Sequence, residues 1–205
     1  MPDQTVEKAT ARSRFVNNRR ALGNRERERQ ARAATLRLLA EPRMTSADTV
    51  AAYWPLGTEP DTRPLIDALL ERGTQVLLPV LLADRDLDWA RYAGDPAELE
   101  GGGAGTLRPS GTTLGPDAVS RVRVMIVPAL AVTARGVRIG RGGGSYDRVL
   151  ARIAAAAAEG RDTPWTCALL YEDELGTLPE AAVEPHDRAV DAACAADRLM
   201  DFHRL

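Results

Sequence analysis

Val122-Arg-Val-Met-Ile-Val-Pro-Ala-Leu-Ala-Val132, followed by Val137-Arg-Ile-Gly-Arg-Gly-Gly-Gly-Ser-Tyr-Asp-Arg148 and then Val149-Leu-Ala-Arg-Ile-Ala-Ala-Ala-Ala-Ala-Glu159, reads as strand, glycine loop and helix. The first run is apolar and β-branched, as a buried strand is. Helical spacing from Tyr146 to Glu159 puts Val149, Leu150, Ile153, Ala154 and Ala157 on one face, with Gly160 at the stop. Four glycines between Gly140 and Gly144 let backbone approach a ligand closely. Arg138, Arg141 and the free N–H groups of the helix start attract anions, so a phosphate is the expected ligand. Two common phosphate motifs are excluded: GxxxxGK[ST] is absent, and GxGxxG fails because Ser145 stands at the last glycine. Composition alone leaves two readings, an anion loop or a glycine-rich turn with solvated arginines.

Working outward, Thr49-Val-Ala-Ala-Tyr-Trp54 reads as a strand, residues 55–62 as a loop, Arg63 to Glu71 as a helix ending at Gly73, and Thr74 to Val80 as the next strand. Strand, helix and strand at this spacing predict a parallel α/β sheet. Ligands of such sheets bind beyond the C-terminal strand ends, which is where Trp54, Glu59 and the glycine loop fall. Leu87 to Tyr92 alternates like an exposed or edge strand, residues 94–115 are loop-rich with a flexible Gly101–Gly105 stretch, and Trp165–Tyr171 and Ala189–Ala195 complete the sheet. Residues from about Thr5 to Ala40 read as helical, broken near Gly23, with Pro42 ending the second piece. The expected organisation is one domain over 1–205: a basic helical segment (1–42), an α/β core (43–196) and a tail (197–205) that carries no clear signal.

A chain of 205 residues can bury a substantial core without staples. The formal charge of −2 hides an asymmetry: residues 1–32 hold nine of the 27 Lys and Arg but four of the 29 Asp and Glu. Arg25, Arg27, Arg29 and Arg32 alternate with Glu26 and Glu28, which is the pattern of a solvated helix face, and aromatic residues for stacking on nucleic acid are missing there. Lys8 is the only lysine; a compact ammonium in a chain otherwise supplied with arginine points to a specific need. Two cysteines, one within a predicted buried strand, exclude a disulfide framework and suggest a reduced, cytoplasmic protein. No apolar run approaches the ~20 residues of a membrane span.

Four stretches together resemble the 5-formyltetrahydrofolate cyclo-ligase family, also called methenyltetrahydrofolate synthetase. Lys8-Ala-Thr-Ala-Arg12, with Asn18-Arg-Arg-Ala-Leu22 after it, is similar to the family's basic N-terminal helix. Tyr53-Trp-Pro-Leu-Gly-Thr-Glu-Pro-Asp-Thr62 resembles Y-x-P-x-x-x-E-x-D-T, Gly140-Arg-Gly-Gly-Gly-Ser-Tyr-Asp-Arg148 resembles G-R-G-G-G-Y-Y-D-R, and His186-Asp-Arg-Ala-Val-Asp191 resembles H-D-x-x-V-D. The resemblance runs from about Lys8 to Asp191. It implies a Rossmann-like α/β fold and an enzyme that uses ATP and Mg2+ to convert 5-formyltetrahydrofolate to 5,10-methenyltetrahydrofolate, with ADP and phosphate released. Such chemistry needs positioning and charge neutralisation rather than a protein nucleophile.

The resemblance further implies roles by position. Lys8, Ala9, Thr10, Ala11, Arg12, Arg138, Ile139, Gly140, Arg141, Gly142, Gly143, Gly144, Ser145 and Tyr146 would bind ATP, with Lys8, Arg12 and Arg141 acting on the transferring phosphate. Trp54, Glu59, Arg141 and the loop Gly142, Gly143, Gly144 and Ser145 would contact the folate, and Asp147 and Asp187 would hold Mg2+. His186 is read as a loop or packing residue, not a base. A folate substrate, no membrane or nucleic-acid partner and a monomeric state complete the expectation. Three positions depart from the family pattern. Ala11 replaces a leucine, Arg108 before Pro109 replaces a glutamate and reverses a charge beside the presumed cleft, and Ser145 replaces the first of two tyrosines. Ser145 either caps the following helix through its hydroxyl or marks a pocket that takes another substrate. The alternatives are a related ATP-dependent ligase or phosphotransferase, or a non-catalytic nucleotide- or RNA-binding module.

Overall fold

A computed structural model of the chain describes residues 4–184 and 187–202. In chain order the elements are α1 (Gln4–Ala21), α2 (Asn24–Leu39), α3 (Pro42–Thr45), β1 (Thr49–Ala51), α4 (Arg63–Glu71), β2 (Gln75–Leu81), β3 (Leu87–Tyr92), β4 (Leu99–Gly101) and β5 (Leu107–Pro109), then β6 (Val124–Pro128), β7 (Ala131–Val132), β8 (Arg138–Ile139), α5 (Ser145–Ala158), β9 (Trp165–Leu169), β10 (Ala192–Cys194) and β11 (Leu199–Asp201). The main sheet has the order β11-β10-β9-β6-β1-β2-β3. Its five inner strands are parallel, with registers such as Val50↔Val76, Val50↔Val124, Ile126↔Cys167 and Cys167↔Ala192. Antiparallel β3 and β11 close the two edges.

Both faces of the sheet are covered, so its strands are apolar throughout and neighbouring residues divide between two layers. Val50, Val76, Val124, Ile126, Cys167 and Leu169 pack with Leu38, Leu65, Ile66 and Leu69 of α2 and α4. Their neighbours Ala51, Leu77, Met125, Val127 and Ala168 face Val149, Leu150 and Ile153 of α5. Ala156 completes the buried side of α5, whereas Ala154 and Ala157, expected on that face, are exposed. All six are small or apolar, so periodicity counted in single residues could not place the stripe more finely.

Further expectations are corrected. β3 is the edge strand that its alternation allowed, but it is buried rather than exposed, because Leu87 and Trp89 pack in the second layer and Tyr92 in the first. Residues 94–115 hold the β4–β5 hairpin, with Leu99 opposite Pro109. Residues Leu199–Asp201, which gave no sequence signal, add a strand beside β10. Pro42 ends α2 as expected and then occupies the first turn of α3, where its missing N–H costs nothing.

Helix α1 is unusual in its composition. Lys8, Ala11, Phe15 and Arg19 recur at spacings of three and four and are all buried, which is one helical stripe. Ala11 and Phe15 pack on Leu130, Ala131, Ile139, Leu178 and Ala182. A charged residue stands at either end of this apolar patch. Arg27 of α2 donates to the carbonyls of Arg19 and Leu22, at 2.9 and 2.5 Å, and so satisfies the end of α1.

Candidate active site

The C-terminal ends of β1 and β6, the glycine loop and the β4–β5 hairpin surround one cleft. Its wall includes Arg12, Trp54, Glu59, Arg138, Gly140–Ser145, Tyr146, Asp147 and Asp187, so most of the expected site residues meet here. Lys8 reaches it indirectly by bonding Asp187. Ala9 and Thr10 are exposed, and Ala11 and Ile139 belong to the apolar contact under α1; none of these four lines the cleft.

The loop geometry depends on glycine at two places. Gly142 and Gly144 have φ of 100° and 76°, values that a side chain strains. A Cβ at Gly142 would make only an ordinary contact with the Arg12 guanidinium carbon, at 3.6 Å, so the backbone angle is what calls for glycine there. Arg12 Nε donates to the Gly140 carbonyl at 3.0 Å, which draws α1 against the loop. Gly144 is the N-cap of α5, and no side chain caps that helix. Ser145 is therefore the first helical residue and lines the cleft, which corrects the capping interpretation. The α5 N–H groups remain open toward the loop, as an anion site requires.

Arg138 is fully buried and donates to Asp147 Oδ1 at 2.9 Å. Burial lowers its pKa, opposed chiefly by Asp147 and more weakly by Tyr146 and Asp187. Both expected metal ligands thus act on one guanidinium. Its Nε and the Tyr146 hydroxyl are buried without a hydrogen-bond partner among the described residues, a feature that bound ligand or water normally satisfies. Asp187 receives Lys8 through both oxygens, at 2.7 and 2.8 Å, and Glu184 receives the same ammonium at 2.6 Å. No group of three or more metal-binding side chains occurs among the described residues.

The other half of the cleft is built by the loop after β1. Tyr53 donates to the Pro60 carbonyl at 3.0 Å, and Thr62 Oγ1 returns to the Tyr53 carbonyl at 2.5 Å. This closed loop presents Trp54, set edge-on to Tyr92 at 5.4 Å, and Glu59, which accepts from the Leu56 N–H at 2.9 Å. Burial raises the Glu59 pKa, against the Leu56 hydrogen bond and the charges of Arg141 and Arg19. Arg141 joins the halves, with Nε 3.3 Å from Glu59 and Nη2 donating to the Leu56 carbonyl at 3.0 Å; its side chain is 49% exposed, so this tie is weak.

Arg108 does not line the cleft. It follows the cleft-lining Leu107 and pairs with Glu100 across the hairpin at 2.5 Å, so a carboxylate meets its charge beside the cleft. Three acidic or basic groups were missed by sequence reading. Arg19 lies in the cleft floor, bonds Glu174 through Nε and Nη2 at 2.6 and 2.8 Å, and reaches the Ala129 carbonyl at 2.5 Å. Burial opposes the Arg19 charge, and the bonded Glu174 carboxylate outweighs it, raising its pKa. The spacing Phe15 to Arg19 could have marked this residue, but nothing local marks Glu174 or Glu184. His186 lies outside the described residues.

The 5-formyltetrahydrofolate cyclo-ligase family model matches residues 4–196. The chain belongs to this family. It is 38% identical over 188 residues to a 5-formyltetrahydrofolate cyclo-ligase of Mycolicibacterium smegmatis, covering 89% of this chain and 90% of that one. The Escherichia coli K12 cyclo-ligase is 34% identical over 134 residues, covering 64% of this chain and 73% of the relative. The solution structure of Aquifex aeolicus 5,10-methenyltetrahydrofolate synthetase superposes with a TM-score of 0.77 at 25% identity, over 95% of this chain and 92% of that one. The fold of a cyclo-ligase-family enzyme is therefore the mixed α/β sheet described above, and no helix among the described residues is long and apolar enough to cross a membrane.

Proposed function

We propose that the cleft binds MgATP and 5-formyltetrahydrofolate together and forms 5,10-methenyltetrahydrofolate, ADP and phosphate. The observation that carries this reading is the single cleft in which the glycine loop, Arg12 and Arg138 face Trp54 and Glu59. Arg12, Arg138, the loop N–H groups and Lys8 hold the triphosphate, and Arg141, between loop and Glu59, lies where the transferring group passes. Trp54 offers the pterin an apolar wall, and Glu59 an acceptor for its N–H groups. The formyl oxygen attacks the γ-phosphorus and ADP leaves; N10 then attacks the formyl carbon and gives up its proton to the departing phosphate or solvent as the carbon–oxygen bond breaks. Positioning and charge neutralisation supply the catalysis, as in other phosphoryl transfers.

Asp147 and Asp187 are hard oxygen donors on one cleft wall, each already balanced by a cation. That donor set suits Mg2+, which takes one or two carboxylates alongside phosphate oxygens. When bound, the ion would neutralise phosphate charge. The buried cysteines, with Cys194 pushed up to about 12 by burial, accord with a reduced cytoplasmic protein, and a monomer without nucleic-acid partners belongs to the same reading.

Purified protein with ATP, Mg2+ and 5-formyltetrahydrofolate should generate the methenyl product, read by its near-ultraviolet absorbance. Clear ATP binding without that signal would assign the cleft to another acceptor, and neither signal would leave a non-catalytic module.

A further inference from the structure

Lys8 is buried and its ammonium is fully committed. An ammonium has three N–H donors, and Lys8 Nζ makes three contacts, one to Glu184 Oε2 and one to each oxygen of Asp187. The two acids are not equivalent. The Asp187 side chain is 4% exposed, and its Oδ2 also accepts from the Glu184 N–H at 2.8 Å, so backbone as well as Lys8 fixes it. The Glu184 side chain is 19% exposed. A phosphate oxygen can reach Lys8 only by taking a donor from one of these carboxylates, and Glu184, the more exposed of the two, has more room to move.

On the nucleotide reading given above, we propose that Glu184 is a specificity-determining residue that makes the site favour metal-bound over metal-free nucleotide. Lys8 is paired with Glu184 and Asp187, Arg138 with Asp147 and Arg141 with Glu59, so much of the positive charge around the cleft already has a carboxylate beside it. Metal-free triphosphate is drawn by the loop and α5 N–H groups but repelled by these carboxylates, and it competes with Glu184 for Lys8. A divalent cation on the phosphates reverses one part of that balance, because the carboxylates then attract the incoming complex instead of repelling it. Each partner is released to a better one. Lys8 passes to phosphate as the acid beside it turns to the cation's field, so metal and nucleotide strengthen each other's binding.

Glu184→Gln separates this role from a structural one, because it keeps the shape and removes the charge. Calorimetry with ATP in EDTA should show binding tightened roughly fivefold to tenfold, the effect of removing one like charge from a partly screened site. MgATP affinity should change by less than about twofold, so the ratio between the two forms narrows by several fold. Glu184→Asp, which keeps the charge, should retain the wild-type ratio. Metal-free ATP bound no more tightly by Glu184→Gln, from a wild type that binds MgATP normally, would overturn the proposal. A wild type that binds neither form would instead sink the nucleotide reading on which it rests.

Discussion

Helix α1 is tied to the sheet by a charge cluster near each end, and the two ties differ in kind. At Arg19 the guanidinium meets Glu174 through two parallel hydrogen bonds, a third goes to the Ala129 carbonyl, and the Tyr171 ring lies 5.5 Å beneath. Glu174 also accepts from the Tyr171 N–H, so both charges are buried and held by several hydrogen bonds. At Lys8 a flexible ammonium is shared between a fixed acid and a more exposed one, at the margin of the cleft. A planar fork suits a permanent joint and a rotatable ammonium suits an exchangeable one. The first tie holds the helix in register while the second can change partners.

Breaking the fixed tie should give the largest effect. Arg19→Met leaves Glu174 buried and unpaired, and should cost about 3–5 kcal/mol of stability by urea denaturation. Adding Glu174→Leu should recover most of that loss, because a well-filled apolar pair can replace a buried ion pair. Recovery in the double variant would distinguish a pairing defect from a failure of packing.

Next in size is the exchangeable tie. Lys8→Ala should weaken MgATP by about 1.5–3 kcal/mol, the range for hydrogen bonds to charged groups, with folate affinity little changed. Calorimetry with each ligand separately reads both. Asp187→Ala should raise the Mg2+ concentration needed for half-maximal rate, and a folded variant with normal magnesium dependence would remove Asp187 from the metal site.

A smaller effect is expected where the glycine loop faces the loop after β1. Ser145 lines the cleft without capping α5, so Ser145→Tyr should restore a ring at little cost to the helix. The gain is about 0.5–1.5 kcal/mol in folate affinity beyond the ring's buried area, with ATP affinity unchanged. Equilibrium titration showing no gain in a folded variant would mean that the loop faces a different acceptor.

The smallest expected effect is a pH dependence. Burial raises the Glu59 pKa in the folded state, so the folded protein holds this proton more tightly than the unfolded chain. Stability should therefore fall as pH rises through the interval between the two values, from about pH 4 upward. Glu59→Gln should flatten that part of the profile in denaturation experiments while weakening folate. An unchanged slope would mean that Glu59 is solvated.

These contrasts also explain what the sequence reveals. The boundaries of α4, the strand–loop–helix around Gly140 and the parallel core are legible, because alternation, helical period and glycine stops are local signals. The buried stripe of α1 was not legible as such: two of its four members are charged, and their partners lie 155 and 179 residues away. The exchange at Arg108 is invisible for the same reason, since Glu100 opposite it appears only once β4 and β5 pair. Gly144 rather than Ser145 as the helix cap depends on a backbone angle, which residue type alone does not fix.

Because Lys8 is the chain's only lysine, labelling with 15N- and 13C-lysine gives one side-chain signal and reads the exchangeable tie without substitution. Titrating MgATP should move the Lys8 Nζ and Cε resonances, saturating at the dissociation constant measured by calorimetry, as the ammonium leaves Glu184 for phosphate. A signal that stays where it was while calorimetry reports bound nucleotide would contradict the account, and would make Lys8 a second fixed joint like Arg19.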